Sequence, residues 1–164
     1  MSNFEAEAEA EAEAGPVLFL IVSAGGPVVR TVDRIRLEQE RGFEVRVIAT
    51  PQAAQWLDRD EIERLTGRRF ESAMLTPEQS TLFPLGNRVL ASPVTLNTLT
   101  KWADGHADNL AIGLLCEALG TPSLPIVAEL SLSPQFLRHP AVPAAVGRLA
   151  AAGVEIRSHP DARV

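Results

Sequence analysis

Short runs rich in apolar residues recur along the chain and indicate β-strands, and the first has the pattern of a strand that is buried on both faces. The first is "VLFLIVS" (residues 17–23), whose apolar side chains leave no polar face for solvent. Four further runs follow it: "FEVRVIAT" (43–50), "NRVLAS" (87–92), "SLPIVAEL" (123–130) and "VEIRS" (154–158). The pattern predicts five β-strands.

The segments between these runs carry helical signals. Apolar residues recur at helical spacing in "VVRTVDRIRLEQER" (28–41), and Gly42 follows as a helix-ending glycine. Further helices are predicted at residues 51–57, 59–67, 96–103, 108–119 and 134–153, with breaks in the last at Pro140 and Pro143. Residues 68–86 show no periodicity. Strands that alternate with helices predict parallel βαβ units and a three-layer α/β sandwich.

Charge is concentrated at the start of the chain. The segment "EAEAEAEAEA" (5–14) supplies five glutamates, against a net charge of −6 for all 164 residues. Glutamates at i,i+4 repel each other in a helix, so we predict a disordered acidic tail over residues 1–15, with docking as a less favoured role. One domain is predicted over residues 16–164.

Composition argues against several function classes. Without the tail the chain is nearly neutral and has no basic stripe, which argues against nucleic-acid binding. No apolar stretch approaches the roughly 18 residues of a membrane helix, and no secretion signal is visible. Cys116 is the single cysteine and is expected in the core, so a reduced cytoplasmic protein is the expectation. Three scattered histidines give no metal-ligand spacing.

Small and hydroxyl residues follow the first three predicted strands. Ligands bind beyond the carboxyl ends of parallel strands in open α/β sheets, where small residues admit a close approach and a helix start offers N–H groups. The candidate cofactor-binding residues are Ser23, Gly25, Thr50, Ser92, Thr95, Asn97 and Thr98. Each also fits a turn or a helix cap, and the G-x-G-x-x-G dinucleotide fingerprint is absent. Their combination favours a phosphate or planar-cofactor site.

The segment around the third strand resembles a known family. "PVTLNT" (93–98) and "DGHADNL" (104–110) match, at the same spacing, the P-A-[ST]-A-N-T and G-x-A-[DN]-[DN]-L motifs of the flavin-containing cysteine decarboxylases. That family includes phosphopantothenoylcysteine decarboxylase and peptidyl-cysteine decarboxylases. Colinear support comes from "VIATPQAAQWL" (47–57), "PIVAEL" (125–130), "HPAV" (139–142) and "RLAAAGVEI" (148–156).

The resemblance implies a flavodoxin-like (Rossmann-type) FMN-binding domain that assembles as a trimer or a dodecamer. It implies that Ser23, Gly25 and Thr50 serve the FMN phosphate. By the same resemblance, the flavin ring or ribityl chain lies beside Ser92, Thr95, Asn97 and Thr98. Family chemistry oxidises a cysteine side chain with FMN, after which CO₂ is lost and an enethiol forms.

The decarboxylation groups of the family are not matched. Ungapped counting places Gln79 where the family has its catalytic histidine, and glutamine cannot exchange a proton near neutral pH. "LSLS" (130–133) stands where the family has P-x-M-N, so Ser133 replaces the asparagine that holds the substrate carboxylate. No catalytic residue is therefore assigned. The pattern favours a flavin-binding protein that has lost or replaced the decarboxylation machinery, as a partner subunit or with altered flavin chemistry.

Two other functions stay open from the sequence. One is an active oxidative decarboxylase of a peptide C-terminal cysteine that uses a substitute acid or base. The other is a non-redox nucleotide-binding regulatory domain. A peptide or protein partner is possible in either case. Among the remaining residues, Trp56 and Trp102 are expected to pack in the interior, and His159 is expected at the surface.

Overall fold

Five parallel strands form a single sheet in the computed structural model, which describes residues 15–76 and 86–161. The strands are β1 (Val17–Val22), β2 (Glu44–Ala49), β3 (Arg88–Val94), β4 (Ile126–Leu130) and β5 (Glu155–Ser158). Their order is β2-β1-β3-β4-β5, and every neighbouring pair is parallel. The predicted flavodoxin-like α/β fold is confirmed. Most of the predicted acidic tail and Gln79 lie outside the described residues.

Seven α-helices and one 3-10 turn connect the described strands. The 3-10 turn spans Gly26–Arg30. The helices are α1 (Thr31–Glu40), α2 (Pro51–Ala54), α3 (Arg59–Thr66), α4 (Leu96–Asp104), α5 (Leu110–Leu119), α6 (Pro134–Leu137) and α7 (Ala141–Ala151). The predicted break at Pro143 is wrong, because Pro143 lies in the first turn of α7, where its missing N–H has no helical partner to lose.

The two faces of the sheet bury two separate apolar clusters. Along β1, Phe19 and Ile21 join the cluster beneath α4, α5 and α7. The alternate residues Leu18, Leu20 and Val22 join the cluster beneath α1 and α3. Successive side chains of a strand point to opposite faces, so an unbroken apolar run is required wherever helices cover both.

The strand order reverses between β1 and β3. From β1 the chain proceeds outward to β2, and it then returns to the other side of β1 as β3. The connections at these two carboxyl ends therefore diverge to opposite sides and leave a crevice between them. The turn after β1, with Ser23 and Gly25, and the β3–α4 connection, with Thr95, line this crevice at the switch point.

The two tryptophans occupy opposite environments. Trp102 of α4 is fully buried, and its indole N–H donates a hydrogen bond to the carbonyl oxygen of Leu115 at 2.9 Å. Trp56 is 56% exposed, so the prediction that it packs in the interior is wrong. The reason is local: α2 ends at Ala54, and Trp56 lies in the turn beyond it.

Replacement of Trp102 by phenylalanine is expected to destabilise the fold by about 1–3 kcal/mol, because it leaves a cavity and removes the donor to Leu115. Urea unfolding measures this change. Trp56→Phe is the matched control, and it should alter the free energy of unfolding by less than about 0.5 kcal/mol. Equal effects of the two substitutions would contradict the burial of Trp102.

Candidate functional site

Backbone hydrogen bonds hold four strand ends together at one edge of the sheet. The amide of Ser23 donates to the carbonyl oxygen of Pro93 at 3.1 Å, which joins the end of β1 to the end of β3. Thr50 donates to Val22 at 2.9 Å, and Ser131 donates to Val94 at 2.9 Å, so the connections after β2 and β4 are fixed as well. The residues that follow each strand are therefore held in one region.

A buried pair of hydroxyls crosses the switch point. The Ser23 hydroxyl donates to Thr98 Oγ1 at 2.9 Å, and both side chains are 1% exposed. Thr95 caps α4, since its Oγ1 accepts the amide hydrogen of Thr98 at 3.4 Å. Ser23 and Thr98 thus tie the β1 turn to the start of α4 and present little surface to a ligand.

Four predicted residues line one cavity of about 640 Å³: Thr50, Thr95, Asn97 and Thr98. We call this the threonine cavity. Thr50 also caps α2, because its Oγ1 accepts the amide hydrogen of Ala53 at 3.2 Å. The Asn97 side chain is exposed. None of the described residues that line the threonine cavity is charged, so its polar surface is made of hydroxyl and amide groups and the start of α4.

A second cavity of about 680 Å³, the glycine cavity, adjoins the first. It is lined by Gly25, Gly26, Arg30, Ser131 and Ser133, among others. A Cβ atom on Gly25 would lie 3.4 Å from side-chain carbons of Pro93 and Ser131, so the turn after β1 packs closely on the end of β3. Ala24, Thr95, Leu96 and Phe136 line both cavities and form a shared wall.

Ser92 lies apart from the other predicted residues. Its hydroxyl donates to Glu129 Oε2 at 2.7 Å, and Glu129 accepts two hydrogen bonds from Arg34 at 3.0 Å each. Ser92 and Arg34 line a third cavity of about 260 Å³, together with His159. Ser92 lies on the strand face of Leu90, whose apolar cluster packs beneath α1 and α3, whereas the α4 cluster lies on the other face. The structure therefore separates its hydroxyl from the threonine cavity.

Two further residues of this region were not among the sequence candidates. Glu129 is 4% exposed. The sequence feature that could have identified it is a single carboxylate inside the apolar run "IVAEL". Asn109 lines the threonine cavity and caps α5, where its Oδ1 accepts the amide hydrogen of Ile112 at 3.1 Å. The sequence feature that could have identified Asn109 is the "ADNL" stretch, which carries the family resemblance.

His159 is 8% exposed, so its expected surface position is wrong. Its backbone amide continues the β4–β5 pairing by donating to Leu130 at 2.8 Å, and its Nδ1 accepts the amide hydrogen of Asp161 at 3.0 Å. Burial lowers the pKa of His159, against the opposing effect of the Glu129 and Asp161 carboxylates.

Among the described residues, the remaining histidines and the cysteine do not form a second candidate site. His106 and His139 are exposed, and His139 Nδ1 accepts the amide hydrogen of Ala141 at 3.1 Å as a local cap. Burial raises the pKa of the Cys116 thiol, which keeps it protonated near neutral pH. Within residues 15–76 and 86–161, no group of three or more His, Cys, Asp or Glu side chains could hold a metal ion.

A family model described as Flavoprotein matches residues 6–162. This chain belongs to the Flavoprotein family. The bifunctional coenzyme A biosynthesis protein CoaBC of Vibrio vulnificus (strain YJ016) is 25% identical over 149 residues, which cover 87% of this chain and 36% of the relative. The chain thus spans about a third of the length of the curated relatives that it matches.

Solved structures share the fold. The FMN-dependent cysteine decarboxylase SpaF superposes with a TM-score of 0.76 at 23% identity, over 87% of this chain and 83% of that one. A C175S mutant of PPC decarboxylase, complexed with pantothenoylaminoethenethiol, gives a TM-score of 0.72 at 17% identity, over 87% of this chain and 81% of that one. The FMN-binding protein AtHal3 gives a TM-score of 0.72 at 16% identity, over 87% of this chain and 80% of that one. The predicted resemblance to the flavin-containing cysteine decarboxylases is confirmed. No helix among the described residues is long and apolar enough to cross a membrane.

The stability of the fold is expected to decrease as pH falls through the ordinary histidine range. Because the pKa of His159 is lowered in the folded state, the unfolded chain takes up this proton first, below about pH 6.5. His159→Asn keeps an oxygen that can accept the Asp161 amide hydrogen but does not titrate. Urea unfolding between about pH 7.5 and pH 5.5 should show a smaller loss of stability in this variant, and an identical loss would contradict the prediction.

Proposed function

We propose that this domain binds FMN at the switch point between β1 and β3. The observation that carries the proposal is the convergence of Thr50, Thr95, Asn97 and Thr98 on the threonine cavity. Both cavities of this region have volumes typical of small-molecule sites, which run from roughly 300 to 1,000 Å³. The Flavoprotein family match and the fold shared with FMN-dependent enzymes support the same cofactor.

The residues present fit the chemistry of this cofactor. The phosphate would lie near Thr50, whose hydroxyl offers a hydrogen bond, and beside Gly25 in the turn after β1. Ser23 would support that turn, since its amide bonds to Pro93 and its buried hydroxyl bonds to Thr98. The ribityl chain and the edge of the ring system would lie beside Thr95 and Asn97, at the start of α4. When bound, FMN would supply a two-electron oxidant, and these side chains would orient it.

The usual cysteine decarboxylase reaction is not part of this proposal. Gln79 stands at the position of the family histidine, and Ser133 stands at that of the asparagine. Ser133 Oγ accepts the amide hydrogen of Phe136 at 3.2 Å and caps α6, so this side chain has a structural task of its own. We therefore infer a partner subunit or an enzyme with altered flavin chemistry.

An active oxidative decarboxylase of a C-terminal cysteine is the second candidate. The glycine cavity favours it, since this space adjoins the threonine cavity and is lined by Ser131, Ser133 and the cation of Arg30, with Asp161 as the one carboxylate among its described lining residues. A carboxylate-ended substrate would find polar partners there. A non-redox nucleotide-binding domain is the third candidate, and it would use the threonine cavity alone.

We also propose that the domain acts in the cytoplasm as a homo-oligomer, a trimer or a dodecamer by family analogy, with a peptide or protein partner. Large apolar side chains on its surface support assembly: Val29, Met74 and Trp56 are 78%, 64% and 56% exposed.

Purified protein, or protein incubated with FMN, is expected to be yellow and to show flavin absorbance that dithionite bleaches. Asn97→Ala should raise the dissociation constant for FMN about three- to tenfold, the value of one net hydrogen bond. Fluorescence titration measures this constant. Thr100→Ala on the same helix is the control, because the Thr100 hydroxyl bonds to the carbonyl oxygen of Leu96 and does not line the cavity.

Colourless protein that takes up no FMN would contradict the proposal, and binding of a different phosphate ligand without a redox change would favour the regulatory domain. Light scattering on the same fraction reports the assembly, and a monomer would contradict the homo-oligomer.

Peptides that end in cysteine are expected to remain intact when incubated with the FMN-loaded protein, since the family acid–base and carboxylate-binding groups are replaced. Mass spectrometry would detect the loss of CO₂ together with two hydrogens. Detection of this mass loss under turnover conditions would refute the proposed loss of decarboxylase activity. It would establish the second candidate function, the oxidative decarboxylase.

A further inference from the structure

Phe136 is a large aromatic side chain that the chain itself leaves half uncovered. It lies on α6, just after the carboxyl end of β4, and it is 50% exposed. It lines both the threonine cavity and the glycine cavity. Among the described residues that line these cavities, no other is aromatic. An apolar ring in such a place lacks a partner of its own size.

The shared wall of the two cavities has the composition of a surface for a flat apolar group. It consists of Ala24, Thr95, Leu96 and Phe136. Three of these side chains are apolar, whereas the hydroxyl and amide groups of Thr50, Asn97 and Asn109 line the threonine cavity and not the glycine cavity. A ligand with a polar tail in that cavity would therefore place its least polar part against the wall.

Local hydrogen bonds hold the main chain that carries Phe136. The Ser133 hydroxyl accepts the amide hydrogen of Phe136 at 3.2 Å, and the Ser133 carbonyl accepts that of Leu137 at 2.9 Å. The carbonyl of Phe136 accepts the amide hydrogen of His139 at 2.9 Å. These bonds hold the main chain at Phe136 in place without any contact from a ligand.

We propose that Phe136 packs against the isoalloxazine ring of the bound flavin and determines the affinity and environment of that ring. The inference rests on the proposed function, because it names the residue that covers the planar end of the same cofactor. Aromatic rings attract each other through offset or edge-to-face contacts beyond the area that they bury. The half of Phe136 that the protein leaves exposed is the half available for this contact.

Leu137 provides a matched control. It is the next residue of α6, it is 51% exposed, and it does not line either cavity among the residues described for them. Substitutions at 136 and 137 therefore remove similar exposed apolar surface from the same helix. Only the change at Phe136 is expected to alter the flavin.

The experiment compares FMN binding by the full chain and by the variants Phe136→Ala and Leu137→Ala. Phe136→Ala should raise the dissociation constant about three- to tenfold, and Leu137→Ala should change it less than about twofold. A second pair, Phe136→Trp and Leu137→Trp, tests contact directly. An indole against the isoalloxazine ring quenches flavin fluorescence by electron transfer, so the bound flavin should be dimmer in Phe136→Trp than in Leu137→Trp.

The outcomes separate this inference from the proposed function. If the unsubstituted chain takes up no FMN, the proposed function fails and the inference falls with it. If that chain binds FMN and the two alanine variants have the same affinity, or the two tryptophan variants the same fluorescence, the inference alone is overturned. Urea unfolding of each variant identifies any loss of affinity that follows from a loss of folded protein.

Discussion

The hydrogen bonds around the end of β3 are the constraint on which the site depends. Pro93 and Val94 offer their carbonyl oxygens to Ser23 on one side and to Ser131 on the other. These two bonds fix the turn after β1 and the segment after β4 relative to α4. Without them, the walls of the threonine and glycine cavities would not be fixed relative to one another, since each wall belongs to a different connection.

A buried ion pair supports the same strand end from the other face. Glu129 accepts two hydrogen bonds from Arg34 and one from Ser92, so its carboxylate is well satisfied despite its burial. Arg34 also donates to Glu38 of the same helix at 2.9 Å. Through Glu129, Arg34 links α1 to β4 and, by way of Ser92, to β3. Loss of one partner of a buried pair typically costs about 3–5 kcal/mol, because the other charge is left without compensation. This face therefore contributes rigidity to the strand ends that border the two cavities.

Capping and ligand binding do not exclude each other at the hydroxyl residues. Thr50 accepts an amide hydrogen at the start of α2, which uses its oxygen as an acceptor and leaves the O–H available as a donor. The structural and functional interpretations of Thr50 are thus compatible. Thr95 and Ser23 differ, because both hydroxyls already donate to Thr98 Oγ1, at 3.4 Å and 2.9 Å, and Ser23 is buried.

The sequence by itself determined the five strands, the α/β class and which strand ends carry the small and hydroxyl residues. These follow from local pattern, since burial on both faces requires an apolar run and parallel strands require crossover helices. Only the tertiary structure decided where Ser92 and His159 lie, that Trp56 is exposed, and that Phe136 borders both cavities. For Ser92, His159 and Phe136 this depends on which distant segment packs beside the residue, and the order of residues along one segment does not contain that information. For Trp56 it depends on where α2 ends.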